Sequence, residues 1–547
     1  MDGRLIIGNE RFETREKITS TNPATLEPVG EASLASAEES EKAILAAKEA
    51  FPLWQSLPSK EKKEIFKSAK RILLQRSSEV ANIITLEKGS PYTESLSVEV
   101  LGSLEALDFY ASALKKSQRS KKARHYVAFF SSKKSSFRSQ PLGITFVISP
   151  WNFPFLIPFY DILSAITAGN TVIFRPSTST PLVALLIGEI LIEAGLPPGV
   201  LNIVTSKVSI AEQMITNPEI QTIMFTGSVS TGKRIMELAS QNLTNIVLEL
   251  GGKDPMIVLK DADLERASCG AIWGAFMNCG QSCASIERVY VAEEIADKFI
   301  EKVLILTRKL RVGNPIEPGI EIGPMVTLSQ LEVVEDHIKD ATSNGAQILC
   351  GGERIKSAPG NFFEPTVLTN VNHSMKIMKE ETFGPALPIM CFSEPDEALA
   401  LANDCQYGLT ASVWTRDKKM AKRMAERIEA GSVTVNDHMF SFVEPGAIWG
   451  GIKQTGIGRS HGDFGLLDLV NIKYVSLDFI KKKSQLWWYP YDSSLPKIIE
   501  KSITLLHHDR LAKKAKTAFS LLPYWQRIRE GNSVQNIIKI ANRFFKK

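Results

Sequence analysis

GITFVIS (residues 143–149), NTVIFRPS (170–177), VLNIVTS (200–206), IQTIMFTG (220–227) and NIVLELGG (245–252) are short runs rich in β-branched and aromatic residues. Helical stretches such as LVALLIGEILIEAG (182–195) lie between them. Strands alternating with helices imply a parallel sheet with helices on its faces. A second round follows Gly251-Gly252: PMIVL (255–259), ERVYVA (287–292), IGPMV (322–326), FFEPTVL (362–368), ALPIMCF (386–392), ASVWT (411–415) and SVTVN (432–436), separated by helices such as AKRMAERIEA (421–430). Two α/β domains joined near those glycines are therefore expected. Earlier in the chain, AEESEKAILAAKEAFPLW (37–54) and EKKEIFKSAKRILLQR (61–76) place apolar residues at helical spacing.

At 547 residues the chain exceeds what one hydrophobic core organises, in keeping with two or three folded units. With 44% hydrophobic and 23% charged residues, its composition excludes wholesale disorder, collagen and a disulfide scaffold. The formal net charge of +5 is unevenly spread. Lys481–Lys547 carries 15 Lys+Arg against 4 Asp+Glu, a net +11, which leaves the first 480 residues at −6. The opening MDGRLIIGNERFETREK has no apolar core of signal-peptide length, and Cys269, Cys279, Cys283, Cys350, Cys391 and Cys405 follow no framework spacing. Both features point to a reducing cytoplasm. No His or second Cys pair joins Cys279 and Cys283 at zinc spacing, so no metal site is expected. Ser139–Tyr160 is uncharged and long enough to span a bilayer, but Pro141, Pro150, Pro154 and Pro158 interrupt it. A buried strand followed by a turn is the better reading.

Three places carry candidate chemistry. Cys283 closes the turn Phe276-Met277-Asn278-Cys279-Gly280-Gln281-Ser282-Cys283, where an accessible thiolate would be a strong nucleophile. A lone cysteine is more often a small core residue. Glu249 sits inside the apolar run NIVLEL, where burial would raise its pKa toward the range of a general base. The alternative is an outward-facing strand position. Asn152, in Ser149-Pro150-Trp151-Asn152-Phe153-Pro154, is an amide on a rigid turn that either donates to a developing oxyanion or caps the turn. Phe225-Thr226-Gly227-Ser228-Val229-Ser230-Thr231-Gly232-Lys233 is a strand end entering a helix, which suits a phosphate but is neither GxGxxG nor a P-loop.

Taken together, these segments resemble the aldehyde dehydrogenase superfamily over roughly residues 20–480. The turn ending in Cys283 is similar to the family's cysteine signature, and Leu248-Glu249-Leu250-Gly251-Gly252 to its glutamate signature. SPWNFP, GNTVIFRPS, GLPPGVLNIV, FTGSVSTG, Glu380-Glu381-Thr382-Phe383-Gly384-Pro385 and GGIKQTGIGR follow in the family's order. The resemblance implies an α/β fold of three parts. These are a Rossmann-like cofactor domain (1–124 and 143–252), an α/β catalytic domain (253–455) and a small β oligomerisation arm (125–142 and 464–480), with 481–547 added as a basic tail. It further implies that Cys283 attacks an aldehyde, that Asn152 and the Cys283 N–H hold the oxyanion, and that Glu249 activates water to release the acid. Pro150, Trp151, Arg175, Ser177, Thr178, Gly227, Ser228, Gly232, Glu381 and Phe383 would border NAD or NADP. Family members assemble as dimers or tetramers through the arm, so a homo-oligomer is expected.

Three positions depart from the family pattern. Thr178 stands where NAD-preferring members commonly carry a Glu; a hydroxyl near Arg175 tolerates a 2′-phosphate that a carboxylate would repel, so NADP use is expected. Asp161 and Ser460 stand where many members place a Lys and a Glu near the catalytic glutamate, and a facing Asp161 would raise the Glu249 pKa further. The loop Asp437–Pro445 contains no Lys or Arg to hold a distal carboxylate, whereas Phe155, Phe159, Phe440 and Phe442 would line an apolar tunnel. An apolar aldehyde, medium- to long-chain or aromatic, is therefore expected. A semialdehyde such as succinate semialdehyde is the runner-up, and a cysteine-dependent esterase or thioesterase is the alternative of another class. In the tail, Gln485-Leu486-Trp487-Trp488-Tyr489-Pro490-Tyr491 precedes three amphipathic segments, PKIIEKSITLL, DRLAKKAKTAFSLL and SVQNIIKIANRFF. Peripheral contact with an anionic membrane, or docking on the enzyme, accounts for that pattern. Nucleic-acid binding is not expected, since no recognised module accompanies the charge.

Overall fold

A computed structural model describes residues 2–117, 120–125, 133–479, 485 and 487–530. The described residues divide into two compact units, one within 2–117 and 140–471, the other within 120–139 and 472–530.

The first unit contains both α/β halves. Asn245–Glu249, Ile220–Thr226, Ile144–Ile148, Thr171–Arg175 and Leu201–Ile203 run parallel in that spatial order. Ile144–Ile148 is buried at every residue, which is why its sequence is continuously apolar rather than alternating. Gly456–Ile457 extends one edge antiparallel, and the hairpin Leu5–Ile7/Glu10–Phe12 extends the other, giving eight strands among the described residues. The uncharged stretch 139–160 resolves into the central strand, a turn at 149–155 and the helix Leu156–Ala168, all of whose residues are buried. Among the described residues no helix is long and apolar enough to cross a membrane.

The second sheet orders Gln347–Cys350, Thr366–Thr369, Ala386–Phe392, Ile286–Ala292, Asp254–Val258, Thr410–Trp414 and Ser432–Val435, with only its first pair antiparallel. The chain thus leaves one sheet at Glu249 and enters the other at Asp254, at the junction expected from Gly251-Gly252. One expected strand is absent: in IGPMV, Ile322 makes only an isolated bridge to Val312. Pro324 has no N–H to give a ladder, and Gly323 lies so close to the Gly89 carbonyl that a Cβ would fall 1.9 Å from its oxygen.

Lys121–Lys122, Lys134–Pro141 and Val470–Leu477 form a three-stranded sheet, most of whose residues belong to the second unit. Ser135 Oγ donates to Ser476 Oγ at 2.7 Å, and Lys133 pairs with Asp478 at 2.9 Å. The helices Leu495–His507 and Leu511–Ser520 follow, close to the expected segments; 533–545 lies outside the described residues. Leu495, Ile498, Leu521 and Ile528 form a small core joined by Trp487, Leu505 and Tyr524.

Candidate active site

The helix Leu264–Phe276 ends in a tight turn that delivers Cys283 just before the strand Ile286–Ala292. Asn278 and Cys279 both sit at φ +56, in a left-handed region costly for non-glycine residues. Gly280 follows at φ +71, and a Cβ there would stand 2.2 Å from the Gly384 carbonyl oxygen. Side chains from elsewhere hold this conformation. Asn278 N donates to Glu94 Oε2 at 3.0 Å, Asn278 Nδ2 donates to the carbonyls of Asn152 (3.0 Å) and Gln281 (2.9 Å), and Val326 N donates to Gln281 Oε1 at 2.9 Å. Cys283 is partly exposed at the end of this turn, whereas Cys279 is buried against Met325. Burial first, and then the carboxyl groups of Glu381, Asp254 and Glu249, push the Cys283 thiol well above its ordinary pKa. At neutral pH the resting group is a thiol, so its proton must pass to a base before attack.

Glu249 ends one strand and Asn152 follows the carboxyl end of Ile144–Ile148, with Ile220–Thr226 between the two. Each shares a cavity lining with Cys283 at the end of the sheet where open α/β sheets place their ligands. Asn152 Nδ2 donates to the Gln281 carbonyl at 3.2 Å and its Oδ1 has no partner. Neither Glu249 oxygen has a hydrogen-bond partner, although the residue is buried. Burial, followed by the charge of Asp161, raises its pKa well above the carboxylate range, against the pull of Arg459. A cavity of about 10 Å³, room for roughly one water, is lined by Ile157, Asp161, Thr226, Glu249, Cys283, Phe442, Trp449, Ser460 and His461. Asp161 and Ser460 therefore do face the glutamate, as the departures from the family pattern implied. Burial raises Asp161 to about 8 and lowers His461 to about 3, so the cavity holds a neutral imidazole and two acids reluctant to ionise.

A cleft of about 340 Å³ opens on the other side of Cys283, a volume suited to a small-molecule ligand. Its lining includes Pro150, Trp151, Asn152, Gly227, Ser228, Glu381 and Phe383. Ser228 caps the helix Val229–Ala239, whose N-terminus suits a phosphate; Gly232 is buried in its first turn, with no room for a Cβ beside Leu250. Trp151 and Phe383 meet edge to face at 5.6 Å. Glu381 Oε1 accepts from Gly252 N at 3.0 Å, and its carboxyl is raised to about 8, chiefly by burial. Arg175, Ser177 and Thr178 lie beyond this lining at the end of the strand Thr171–Arg175. The Arg175 guanidinium donates twice to the Ser206 carbonyl, at 2.8 and 3.2 Å. A separate cleft of about 380 Å³, walled by Asp2, Gly3, Arg4, Glu13, Lys17, Glu31 and Ser33, has no cysteine on its walls. Among the described residues no cluster of three or more His, Cys, Asp or Glu is placed to hold a metal ion.

Comparison with known proteins matches residues 11–475 to the model of the aldehyde dehydrogenase family. The chain belongs to that family. Succinate-semialdehyde dehydrogenase [NADP(+)] of Escherichia coli K12 is 35% identical over 84% of this aldehyde dehydrogenase and 94% of its own length. The chloroplastic betaine aldehyde dehydrogenase of Atriplex hortensis is 36% identical over 87% and 95%. Among solved structures, the betaine aldehyde dehydrogenase of Staphylococcus aureus in complex with NAD+ superimposes with a TM-score of 0.84 at 31% identity, covering 89% of this chain and 97% of that one. The enzyme is an NAD(P)-dependent oxidoreductase acting on an aldehyde.

The expected aromatic tunnel of this aldehyde dehydrogenase needs correction. Phe155 and Phe159 are fully buried, stack on each other at 5.2 Å inside the core, and line neither cavity. Phe440 is 55% exposed and lies outside both linings. Phe442 alone of the four lines the cavity beside Cys283, with Trp449 and His461 at 5.2 and 6.4 Å from it.

Two buried ion pairs escaped the reading of the sequence. Lys88 pairs with Glu99 at 2.9 Å, and Glu99 Oε2 accepts from Phe155 N and Leu156 N, fixing the turn that carries Asn152. Lys253 pairs with Glu287, which accepts from Thr382 N and Phe383 N at 2.8 Å and so fixes the segment carrying Glu381 and Phe383. A glutamate in the apolar run ERVYVA is the same signal that singled out Glu249. Glu287→Ala leaves Lys253 buried and unpaired, and is expected to cost ~3–5 kcal/mol. A lowered thermal midpoint and a raised KM for cofactor would register it.

Proposed function

We propose that this aldehyde dehydrogenase oxidises an apolar aldehyde to its acid with Cys283 as nucleophile, Glu249 as general base and Asn152 as oxyanion donor. Once the Cys283 thiol has passed its proton to a base, its Sγ bonds to the carbonyl carbon, and the oxyanion accepts from the Asn152 amide and the Cys283 N–H. A nicotinamide held in the cleft would supply the hydride acceptor for this oxidation, and Cys283 would then carry the acyl group as a thioester. Pro150, Trp151, Gly227, Ser228, Gly232, Glu381 and Phe383 would hold the cofactor's nicotinamide half and phosphates, with Arg175, Ser177 and Thr178 toward the adenosine. Glu249 then removes a proton from a water in the small cavity; the water attacks the thioester, and the acid departs as the thiol re-forms.

The observation that supports the substrate class is the character of the side chains beside Cys283 on the Glu249 side, rather than the volume of the small cavity they line. Ile157, Phe442 and Trp449 stand there with Asp161 and Glu249, and no Lys or Arg is present to receive a second carboxylate. Hexanal, decanal and benzaldehyde are therefore expected to give kcat/KM values at least ~10-fold above succinate semialdehyde, the discrimination open to one unpaired buried charge. The named relatives support the semialdehyde as a second reading, and a higher value for it would displace the first. For the cofactor, Thr178 places no carboxylate near the adenosine ribose, and NADP is expected to be used at least as well as NAD; a strong NAD preference in kcat/KM would refute this.

The proton step has its own signature. Because Glu249 acts only when ionised and its pKa is raised, deacylation speeds up as pH rises through that pKa. Asp161→Asn removes the second-largest contribution to the shift, so the ascending limb of the kcat–pH profile moves to lower pH. An unmoved limb would separate the two carboxyls. A homodimer or tetramer through the arm is supported by Val470–Leu477, whose apolar Ile472 and Tyr474 are exposed. Light scattering would give the molar mass.

A further inference from the structure

The two tail helices treat their apolar residues differently. Leu495–His507 turns Leu495, Ile498 and Leu505 into the small core of the second unit. Leu511–Ser520 buries no residue at all. Its apolar residues nevertheless keep helical spacing: Leu511, Ala515, Ala518, Phe519 and then Leu522 fall on one face, the signature of a buried stripe. Here the stripe is open to water, with Leu511 and Phe519 each 73% exposed. Arg510, Lys513 and Lys516 are exposed around it, and Trp488, Tyr489 and Tyr491 add large exposed aromatic surface in the same unit.

We propose that this face binds the surface of a bilayer that carries anionic lipid. A helix with apolar side chains on one side and lysines around it lies in the plane of a membrane interface, its apolar face among the acyl chains. The lysine stems extend toward the headgroups while their ammonium groups remain in water. Tryptophan and tyrosine favour the same depth, because one end of each ring system is apolar and the other polar. Charge selects the lipid: residues 481–547 carry 15 Lys+Arg against 4 Asp+Glu, complementary to an anionic leaflet. A nucleic acid would use the lysines but leave Leu511, Phe519 and Leu522 in water. The helix is too short to span, so the contact is peripheral.

The test uses the full-length protein and phosphatidylcholine vesicles with and without phosphatidylglycerol. Co-sedimentation with the anionic vesicles is expected at low salt, falling as salt is raised. Leu511→Ser/Phe519→Ser and Lys513→Glu/Lys516→Glu are each expected to weaken it at least ~10-fold. Unaltered aldehyde oxidation by both double variants reports that the enzyme is still folded, and keeps this result separate from the catalytic assignment. Failure to sediment with anionic vesicles, or equal sedimentation by the double variants, overturns the proposal. So does a drop in molar mass of Leu511→Ser/Phe519→Ser in the absence of vesicles, which would assign the stripe to a second copy of the chain.

Discussion

Cys283→Ala is expected to lower aldehyde oxidation by ~10⁴-fold or more, because removing the nucleophile from a covalent mechanism leaves only binding and oxyanion contacts. Cys279, four residues away, cannot substitute. It is buried against Met325, and desolvation pushes its thiol even further from ionisation than an ordinary cysteine. Cys279→Ala should therefore keep the aldehyde reaction, although it empties a small buried volume and lowers the thermal midpoint modestly. Serine at 283 keeps the size of the side chain but offers a far weaker nucleophile, and its residual rate should resemble that of alanine. Steady-state NAD(P)H formation at 340 nm compares the variants. A Cys283→Ser enzyme of near-normal rate would remove the nucleophile from the mechanism.

Glu249→Gln has the second largest expected effect, and its form is more informative than its size. If the glutamate serves deacylation, the variant still forms one equivalent of NAD(P)H per active site and then stalls, with turnover down ~10²–10⁴-fold. Mass spectrometry would find the acyl group on Cys283. If Glu249 must instead also take the thiol proton, the burst disappears along with turnover. The raised thiol pKa makes that second outcome chemically meaningful, since a resting thiol needs a proton acceptor nearby. Glutamine fills the same space and removes the group whose ionisation burial opposes, so the variant should fold at least as stably as the parent.

The parts of this architecture that were legible in sequence share a physical cause. Ile144–Ile148 reads as a strand because a parallel strand covered on both faces is apolar throughout. Glu249 was conspicuous because a carboxylate in such a run needs a reason. The same uniformity hid the lining of the aldehyde side. Every residue of Leu156–Ala168 is buried, so the helix has no polar face to show which way Phe159 points, and Phe155 with Phe159 proved to be core. Trp449 and His461 arrive at the cavity from loops on either side of the strand Gly456–Ile457, remote in sequence, where no periodicity marks them. The Lys253–Glu287 pair is 34 residues apart in the chain, and each member alone looks like an isolated charge. In IGPMV, apolar content suggested a strand where proline and a crowded glycine made a ladder unworkable.

Gly251 and Gly252 reach further than a connection between two sheets. A Cβ on Gly251 would stand 2.3 Å from a Glu381 oxygen, and one on Gly252 would stand 2.1 Å from the Cys283 carbonyl oxygen. The backbone leaving Glu249 thus rests directly on the Glu381 carboxyl and on the peptide of Cys283. Cutting and rejoining homologous proteins at this apparent seam would bring together surfaces that had never been fitted to one another. Viable chimeras should instead exchange residues 249–254, 280–284 and 381–384 as one block, and the smallest unit of inheritance in this enzyme is a three-way junction rather than a domain.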